Sequence, residues 1–367
     1  MTFITEFNNI MWGWVLAVIL LGTGLLYGIT MGFPQVRCFG HIIRSLKSTL
    51  KSDEGSVSGF AALCAAVGGQ VGTGSLVGVA SALAAGGPGA LFWMWITAVF
   101  GMVLSFGEAT LGQVFHEKDK DGNYYGGSPY YMTKGLGNKP LAIAYAVTTI
   151  FAVGVCIAML QNNSITSAVT GVVNISPWIP GIIVTIITAV IVLGGVKRIT
   201  DAASLIVPFM AVGYILITII IIITHLSEVP AMFGTFMTTI IICSCTGFAI
   251  LLTGALESGQ DGVNLVQAAF SSMLGQVGSY FVLLVTFLFC FTTLIADLFY
   301  GEVGVRYLFK GSANGADKAV KVFQVIALIL VTIGAALPLP VLWDLVDFCV
   351  AFLVFFNVYG LLRLRKY

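Results

Sequence analysis

The chain reads as a succession of apolar runs, each close to the roughly 20 residues an α-helix needs to cross the hydrocarbon layer of a bilayer. About ten are present, at 11–33, 58–85, 89–115, 140–172, 178–195, 203–224, 236–254, 279–300, 319–336 and 341–362. No strand-like alternation of apolar and polar residues runs through them. Lipid offers the backbone no hydrogen-bond partner, so helices that satisfy their own N–H and C=O groups are the spanning structure this pattern allows. The expectation is an all-α, multi-pass transmembrane helical bundle.

Composition sets the function classes aside that this architecture does not need. Of 367 residues, 58% are hydrophobic and 9% are charged, against roughly 25% charged in soluble domains. That excludes a soluble enzyme and a disordered chain. With 17 Lys and Arg against 16 Asp and Glu there is no basic field for a nucleic acid to follow. The seven cysteines (38, 64, 156, 243, 245, 290 and 349) are dispersed, which argues against a disulfide framework. Cys243 and Cys245 point to different helix faces and read as packing residues; His41, His116 and His225 form no cluster. No P-loop, nucleophile elbow, H-E-x-x-H or CxxC pair is present, so neither an enzyme nor an organic cofactor is expected. The run Met11 to Phe33 has no basic residue ahead of it and the length of a true span, so it reads as a retained helix rather than a cleaved signal.

Lys and Arg concentrate in cytoplasmic loops, and their placement divides the chain in two. Arg37, Arg44, Lys47 and Lys51 follow the first span, Lys118, Lys120, Lys134 and Lys139 the third, and Lys197 and Arg198 the fifth, whereas the loops after the second, fourth and sixth carry none. Strict alternation then puts the amino terminus outside the cell membrane. Beyond residue 224 the rule inverts. Ten spans place the connection 255–278, which has no Lys or Arg, inside, and Arg306, Lys310, Lys318, Lys321, Arg363, Arg365 and Lys366 outside. One further crossing between 225 and 240 repairs every violation, yet HLSEVPAMFGTFMTT is too short and too polar to supply it.

The second run contains Gly68, Gly69, Gly72, Gly74 and Gly78 with Gln70, Thr73 and Ser75 among them. Each glycine weakens a continuous helix by roughly 1 kcal/mol relative to Ala. Two readings fit. One is a small-residue packing stripe, because Gly68/Gly72 and Gly74/Gly78 have G-x-x-x-G spacing. The other is a discontinuous helix whose unwound carbonyls coordinate a cation while a half-helix amino terminus faces a carboxylate. Ionisable residues inside spans are functional candidates by default: Glu108 in the third, Asp297 near the end of the eighth, and Asp344 and Asp347 opening the tenth. The polar run Gln161, Asn162, Asn163, Ser164, Thr166 is either an outer mouth or an interhelical hydrogen-bond cluster. Thr292 and Thr293 offer hydroxyl oxygens suited to hard cations, although span threonines commonly bond their own backbone.

The stretch GTGSLVGVASALAAGGPGALFWMW, with Gly72, Gly74, Gly86, Gly87, Pro88, Gly89 and Phe92 to Trp95, resembles the alanine/glycine:cation (sodium) symporter family. The likeness continues in order through Glu108–Ala109, Gly126, Gly127, Tyr130, Tyr131, Gln161 to Ser164, Pro208–Phe209, Tyr300–Gly301–Glu302, Tyr307 to Phe309, Trp343, Asp344, Asp347 and Asn357. The resemblance implies an inverted-repeat amino-acid transporter fold. It divides the chain into a leading helix and basic loop (1–57), a first five-helix repeat (58–224) and an incomplete second repeat of four spans (225–367). It also implies import of a small neutral amino acid, alanine or glycine, with sodium as the coupling ion. Gln70, Gly72, Thr73, Gly74 and Ser75 become candidates for substrate contact, Val67, Gly68, Thr292 and Thr293 for the ion, and Glu108 and Asn163 for gating or coupling. Ser75 stands where the family pattern has Asn, Ser128 where it has Pro, and Asp297–Leu298 where it has Trp-Ser. The family stretch G-L-F-S-N-E-A-G-x-G-S-A-P, belonging to the first helix of repeat two, is missing, with the junction near Met237 to Thr239. The competing expectation is therefore a transport-inactive, truncated family member serving as a membrane scaffold or representing a decaying gene product. The partners expected are the amino acid, sodium and membrane lipid; oligomeric state is left open.

Overall fold

A computed structural model describes residues 2–42, 44, 59–118, 124–224, 238–310 and 315–366. Its helices are α1 (Thr2–Met31), α2 (Gly59–Gly68), α3 (Gly74–Gly86), α4 (Gly89–Val114), α5 (Ser128–Lys134), α6 (Lys139–Thr170), α7 (Trp178–Val192), α8 (Gly195–Thr224), α9 (Thr238–Leu252), α10 (Gly262–Leu274), α11 (Gln276–Leu308), α12 (Gly315–Gly334) and α13 (Leu339–Leu364). The described strands are two-residue pieces, Glu117–Lys118 against Tyr124–Tyr125. The chain is an all-α, multi-pass membrane protein. Among the described residues, six helices (α1, α4, α6, α8, α11 and α13) are long and apolar enough to span, and α3, α7 and the Cys243–Leu252 part of α9 are shorter apolar ones. Ile182, Ile183, Ile186 and Val190 of α7, and Val325 and Ile329 of α12, stay exposed, as expected where lipid takes the place of water.

Each apolar run of the sequence corresponds to helix, with three differences. The second run is divided into α2 and α3. The eighth extends to Leu308, beyond the expected end at 300, because Glu302 and Arg306 bond to each other (Nε to Oε1, 2.8 Å) and so continue the helix. The connection 255–278 is no plain loop: a 3-10 turn at Ala255–Ser258 leads into α10, which buries Val263, Leu265, Val266, Ala269 and Phe270. Asp261 caps α10, accepting from the Gly262 N–H at 2.6 Å.

α11 is the central column. It packs on α6 where Gly154 meets Gly301: a Cβ on Gly154 would lie 2.9 Å from the Gly301 Cα, so only glycine allows the crossing. α6 bends there through a π-turn at Ala152–Ile157, a bulge of the kind that kinks long helices.

Contacts at the helix ends correct the expected ten-span alternation. Glu117 Oε1 lies 3.4 Å from Lys134 Nζ and 3.5 Å from Lys310 Nζ, so the end of α11 meets the segments that follow α4 and α5. Arg306 reaches Asp317 at the start of α12 (2.9 Å), and a Cβ on Gly135 would touch Leu364 at the end of α13. The later basic residues therefore share one end of the bundle with the earlier ones. At the opposite end, Ser81 donates to Asp261 (2.8 Å), Gly262 abuts Leu339, and Thr5 donates to Asp344 (2.9 Å). The connection 255–278, which has no Lys or Arg, and the amino terminus lie there together.

The polarity is restored because α8 and α9 run parallel. Val196, at the start of α8, lines a cavity with His116 and Tyr124 at the basic end, and Tyr214, further along, bonds Thr246 of α9 (2.7 Å). α9 places Ser244 against Trp95 (2.8 Å) and Gly247 against Leu91, so it too climbs away from the basic end as α4 descends. Residues 225–237 between them, including Met237 of the expected junction, lie outside the described residues, as do Lys47, Lys51 and Lys120 of the basic loops; Thr238 and Thr239 of the junction open α9.

Candidate functional site

The glycine cluster resolves into a break. α2 ends at Gly68, residues 69–72 are not helical, and α3 opens with a π-turn over Gly74–Gly78. Backbone groups freed inside a membrane must find partners, and here side chains from three helices supply them. The Thr293 hydroxyl of α11 donates to the Gly68 carbonyl (2.8 Å). The Gln161 Oε1 of α6 accepts from both the Thr73 N–H (2.9 Å) and the Thr73 hydroxyl (2.7 Å). The Thr246 hydroxyl of α9 donates to the Ser75 carbonyl (2.9 Å). Ser164 Oγ (3.1 Å) and Cys290 Sγ (3.4 Å) complete the surroundings of the Thr73 hydroxyl.

Two glycines in the break are required by close approach. A Cβ on Gly72 would lie 2.5 Å from Thr293 Oγ1 and 2.8 Å from Gln161 Oε1, and one on Gly69 would lie 2.8 Å from the Tyr300 hydroxyl. The break is thus clamped between α6 and α11. Gly74 and Gly78 differ: a Cβ at either would meet nothing within 4 Å among the described residues.

The break separates two cavities. One, of about 1060 Å³, opens at the basic end and is lined by Gln70, Glu108, Gln113, His116, Tyr131 and Phe299 among others. The other, about 120 Å³, lies toward the opposite end beneath α10 and is lined by Val77, Asn163, Ser164, Ser167 and Asp261 among others. Gln70 is exposed and faces the larger cavity, whereas Thr73 and Ser75 are buried in the layer between the two.

Not every expected residue joins this centre. Thr292 bonds the Leu288 and Phe289 carbonyls of its own helix (both 3.0 Å), whereas Thr293 crosses to the break. The Val67 carbonyl already accepts the N–H groups of Gln70 and Val71 (both 3.0 Å), so of the four ion candidates Gly68 and Thr293 are the pair brought together. Asn163 donates to the Gly334 (3.1 Å), Ala335 (3.3 Å) and Leu337 (2.8 Å) carbonyls, holding the end of α12 while lining the smaller cavity. Glu108 accepts from the Asn357 amide of α13, and Asn357 in turn accepts from the Tyr131 and Ser128 hydroxyls. This network ties α4, α5 and α13 together on the wall of the larger cavity.

Three further residues stand near the break that the resemblance does not assign to the site: Gln161, Ser164 and Asp297. Gln161 and Ser164 were visible only as part of a polar run with two structural readings. Asp297 is not at a helix end near headgroups: it sits inside α11, 3% exposed, with Oδ2 buried and without a hydrogen-bond partner. No cluster of three or more His, Cys, Asp or Glu suited to a metal ion occurs among the described residues.

A multi-pass helical bundle with a clamped, interrupted helix between two cavities is the architecture of a membrane transporter rather than of a simple anchor. The chain belongs to the sodium:alanine symporter family, whose model matches residues 1–235 and 229–367. A sodium/alanine symporter of Methanococcus maripaludis is 29% identical over 428 aligned residues, covering 97% of this chain and 93% of that protein. A protein of Bacillus subtilis named as a probable sodium/glutamine symporter is 29% identical (98% and 87% covered). A transporter of Haemophilus influenzae, with no further function in its name, is 32% identical over 434 aligned residues (99% and 93% covered). These aligned lengths exceed the chain's 367 residues, so the relatives carry sequence that has no counterpart here.

Proposed function

We propose that the chain is a sodium-coupled symporter that imports a small neutral amino acid, alanine or glycine, across the cell membrane by alternating access. The observation that carries this is the break lying between two cavities: Gln70 lines the larger one, and Ser164, which accepts from the Thr73 hydroxyl (3.1 Å), lines the smaller. A substrate at the break is reached from one side at a time, and the geometry here is open toward the basic, cytoplasmic end. In this reading Gly68 O and Thr293 Oγ1 form part of the sodium site. A cation that organises the break before the amino acid binds makes each ligand raise the other's affinity.

The test is uptake of labelled alanine and glycine into sealed vesicles with and without a sodium gradient. Sodium-dependent uptake is expected, and it disappears in Gly72→Leu; unaltered uptake in that variant removes the site assignment.

A second reading has its own observation. The parallel course of α8 and α9, the bare faces of Gly74 and Gly78, and a family match that divides at 229–235 support the loss of one crossing helix. That helix would be the first of the second repeat, 225–367, the counterpart of α2–α3 in the first repeat, 58–224. Its loss takes away half of the expected ligand contacts, and the resulting protein is a transport-inactive membrane scaffold. Absence of sodium-dependent uptake in correctly inserted protein decides for this reading.

A further inference from the structure

α11 carries two buried acids, Asp297 and Glu302, each 3% exposed, and the structure treats them oppositely. Glu302 is neutralised: Arg306 Nε donates to one oxygen at 2.8 Å and Gln324 Nε2 to the other at 3.1 Å. Asp297 forms no salt bridge among the described residues, and its Oδ2 is buried without any hydrogen bond. An uncompensated buried charge is strongly unfavourable, so Asp297 is neutralised either by a proton or by a cation, since no Lys or Arg pairs with it among the described residues.

The position of Asp297 favours the cation. It lies one helical turn beyond Thr293 and one before Tyr300, on the face of α11 that clamps the break through Thr293 at Gly68, Ala296 and Tyr300 at Gly69, and Thr293 at Gly72. The Gln161 side chain faces it from α6. The surroundings thus offer the Gly68 carbonyl and the Thr293 hydroxyl, one turn from Asp297, both hard oxygen donors of the kind that small metal cations take. Gln70, the residue after Gly69, lines the larger cavity, so the break borders that cavity on the side of the basic end.

We propose that Asp297 is the charge-bearing ligand of a bound sodium ion held between α11 and the broken helix. The carboxylate anchors the ion one turn from the Thr293–Gly68 bond, so loading the site draws α11 onto the break. The inference rests on the sodium-coupled reading above, and the experiment separates the two.

Radiolabelled sodium is bound to the purified full chain in lipid nanodiscs, for the unaltered protein, Asp297→Asn and Asp297→Glu. Asn keeps the shape and removes the charge without stranding a carboxylate. Saturable binding by the unaltered protein, weakened about tenfold or more in Asp297→Asn, and a rise in thermal midpoint with sodium that the variant lacks, are expected. Equal sodium affinity in the two proteins overturns the assignment of Asp297 and leaves sodium coupling standing; this is also the result if the carboxyl only holds a proton. No sodium binding by the unaltered protein overturns both. If Asp297→Asn does not purify as a single species, Asp297→Glu decides: an altered preference among lithium, sodium and potassium supports the site, and unaltered affinity and preference overturn it.

Discussion

Three consecutive amides on α6 illustrate what single residues contribute. Gln161 turns toward the break and accepts twice from Thr73; Asn162 donates to the Gly181 (3.2 Å) and Val331 (3.0 Å) carbonyls; Asn163 holds the end of α12. Successive helix positions are set about 100° apart, so one polar run serves three partners. Removing Gln161 leaves the buried Thr73 N–H unsatisfied, a cost of about 1–3 kcal/mol. Gln161→Ala is therefore expected to lower both thermal stability and sodium-dependent alanine uptake. Asn163→Ala, whose partners are carbonyls at the end of α12 and in the turn after it, is expected to lower stability and leave the affinity for alanine close to unchanged; parallel unfolding and uptake measurements distinguish them. The sequence shows the glycine cluster plainly, because five glycines in one span have few other uses. It does not show that Gln161 rather than Asn163 reaches the break, since that depends on the rotation of α6 against α11, which long-range packing sets. Asp297 is marked in the sequence as a departure from the family pattern, but its burial depends on α11 continuing past 300.

That continuation belongs to the scale of elements. A hydropathy reading ends the span where Glu302 and Arg306 begin, yet these residues extend the helix by pairing across one turn, with Asp317 (2.9 Å from Arg306 Nη1) adding a link to α12. Arg306→Met leaves Glu302 buried without its cation, which typically costs about 3–5 kcal/mol. A clear fall in thermal midpoint is expected for the single variant. Arg306→Met combined with Glu302→Gln recovers much of it, because no charge is then stranded. α10 was missed for a related reason. Its apolar residues cover only one face, against α9 and α11, while Asp261, Asn264 and Gln267 line a polar cavity of about 440 Å³ on the other. A segment of that kind reads as a polar connection until its partner helices are in place.

Across the whole molecule, the distribution of basic residues contains more information than the number of spans. Counting alone sends seven basic residues to the wrong side; the ion pairs of Glu117 with Lys134 and Lys310 gather both groups at one end. Positive-inside bias then predicts that this end is cytoplasmic. Reporter fusions are expected to place Gly262 outside and the chain end after Tyr367 inside; the reverse result would mean that α9 to α13 insert in the alternating order. The same geometry leads to a test of the missing crossing. Tyr214 and Thr246 stand level in the bundle, but α8 continues from Tyr214 away from the basic end, while α9 begins back toward it at Thr238. A descending helix of roughly 20 residues joins two such parallel neighbours without exposing backbone to lipid. Inserting the corresponding segment of the Methanococcus maripaludis symporter between Thr224 and Thr238 is thus expected to preserve the sidedness of every described helix. It should also cover Gly74 and Gly78 and raise sodium-dependent alanine uptake above that of the unaltered chain. Sidedness is checked by the same two fusions and transport by vesicle uptake; an insertion that leaves uptake unchanged would show that the break, as α6, α9 and α11 already clamp it, has all the contacts it uses.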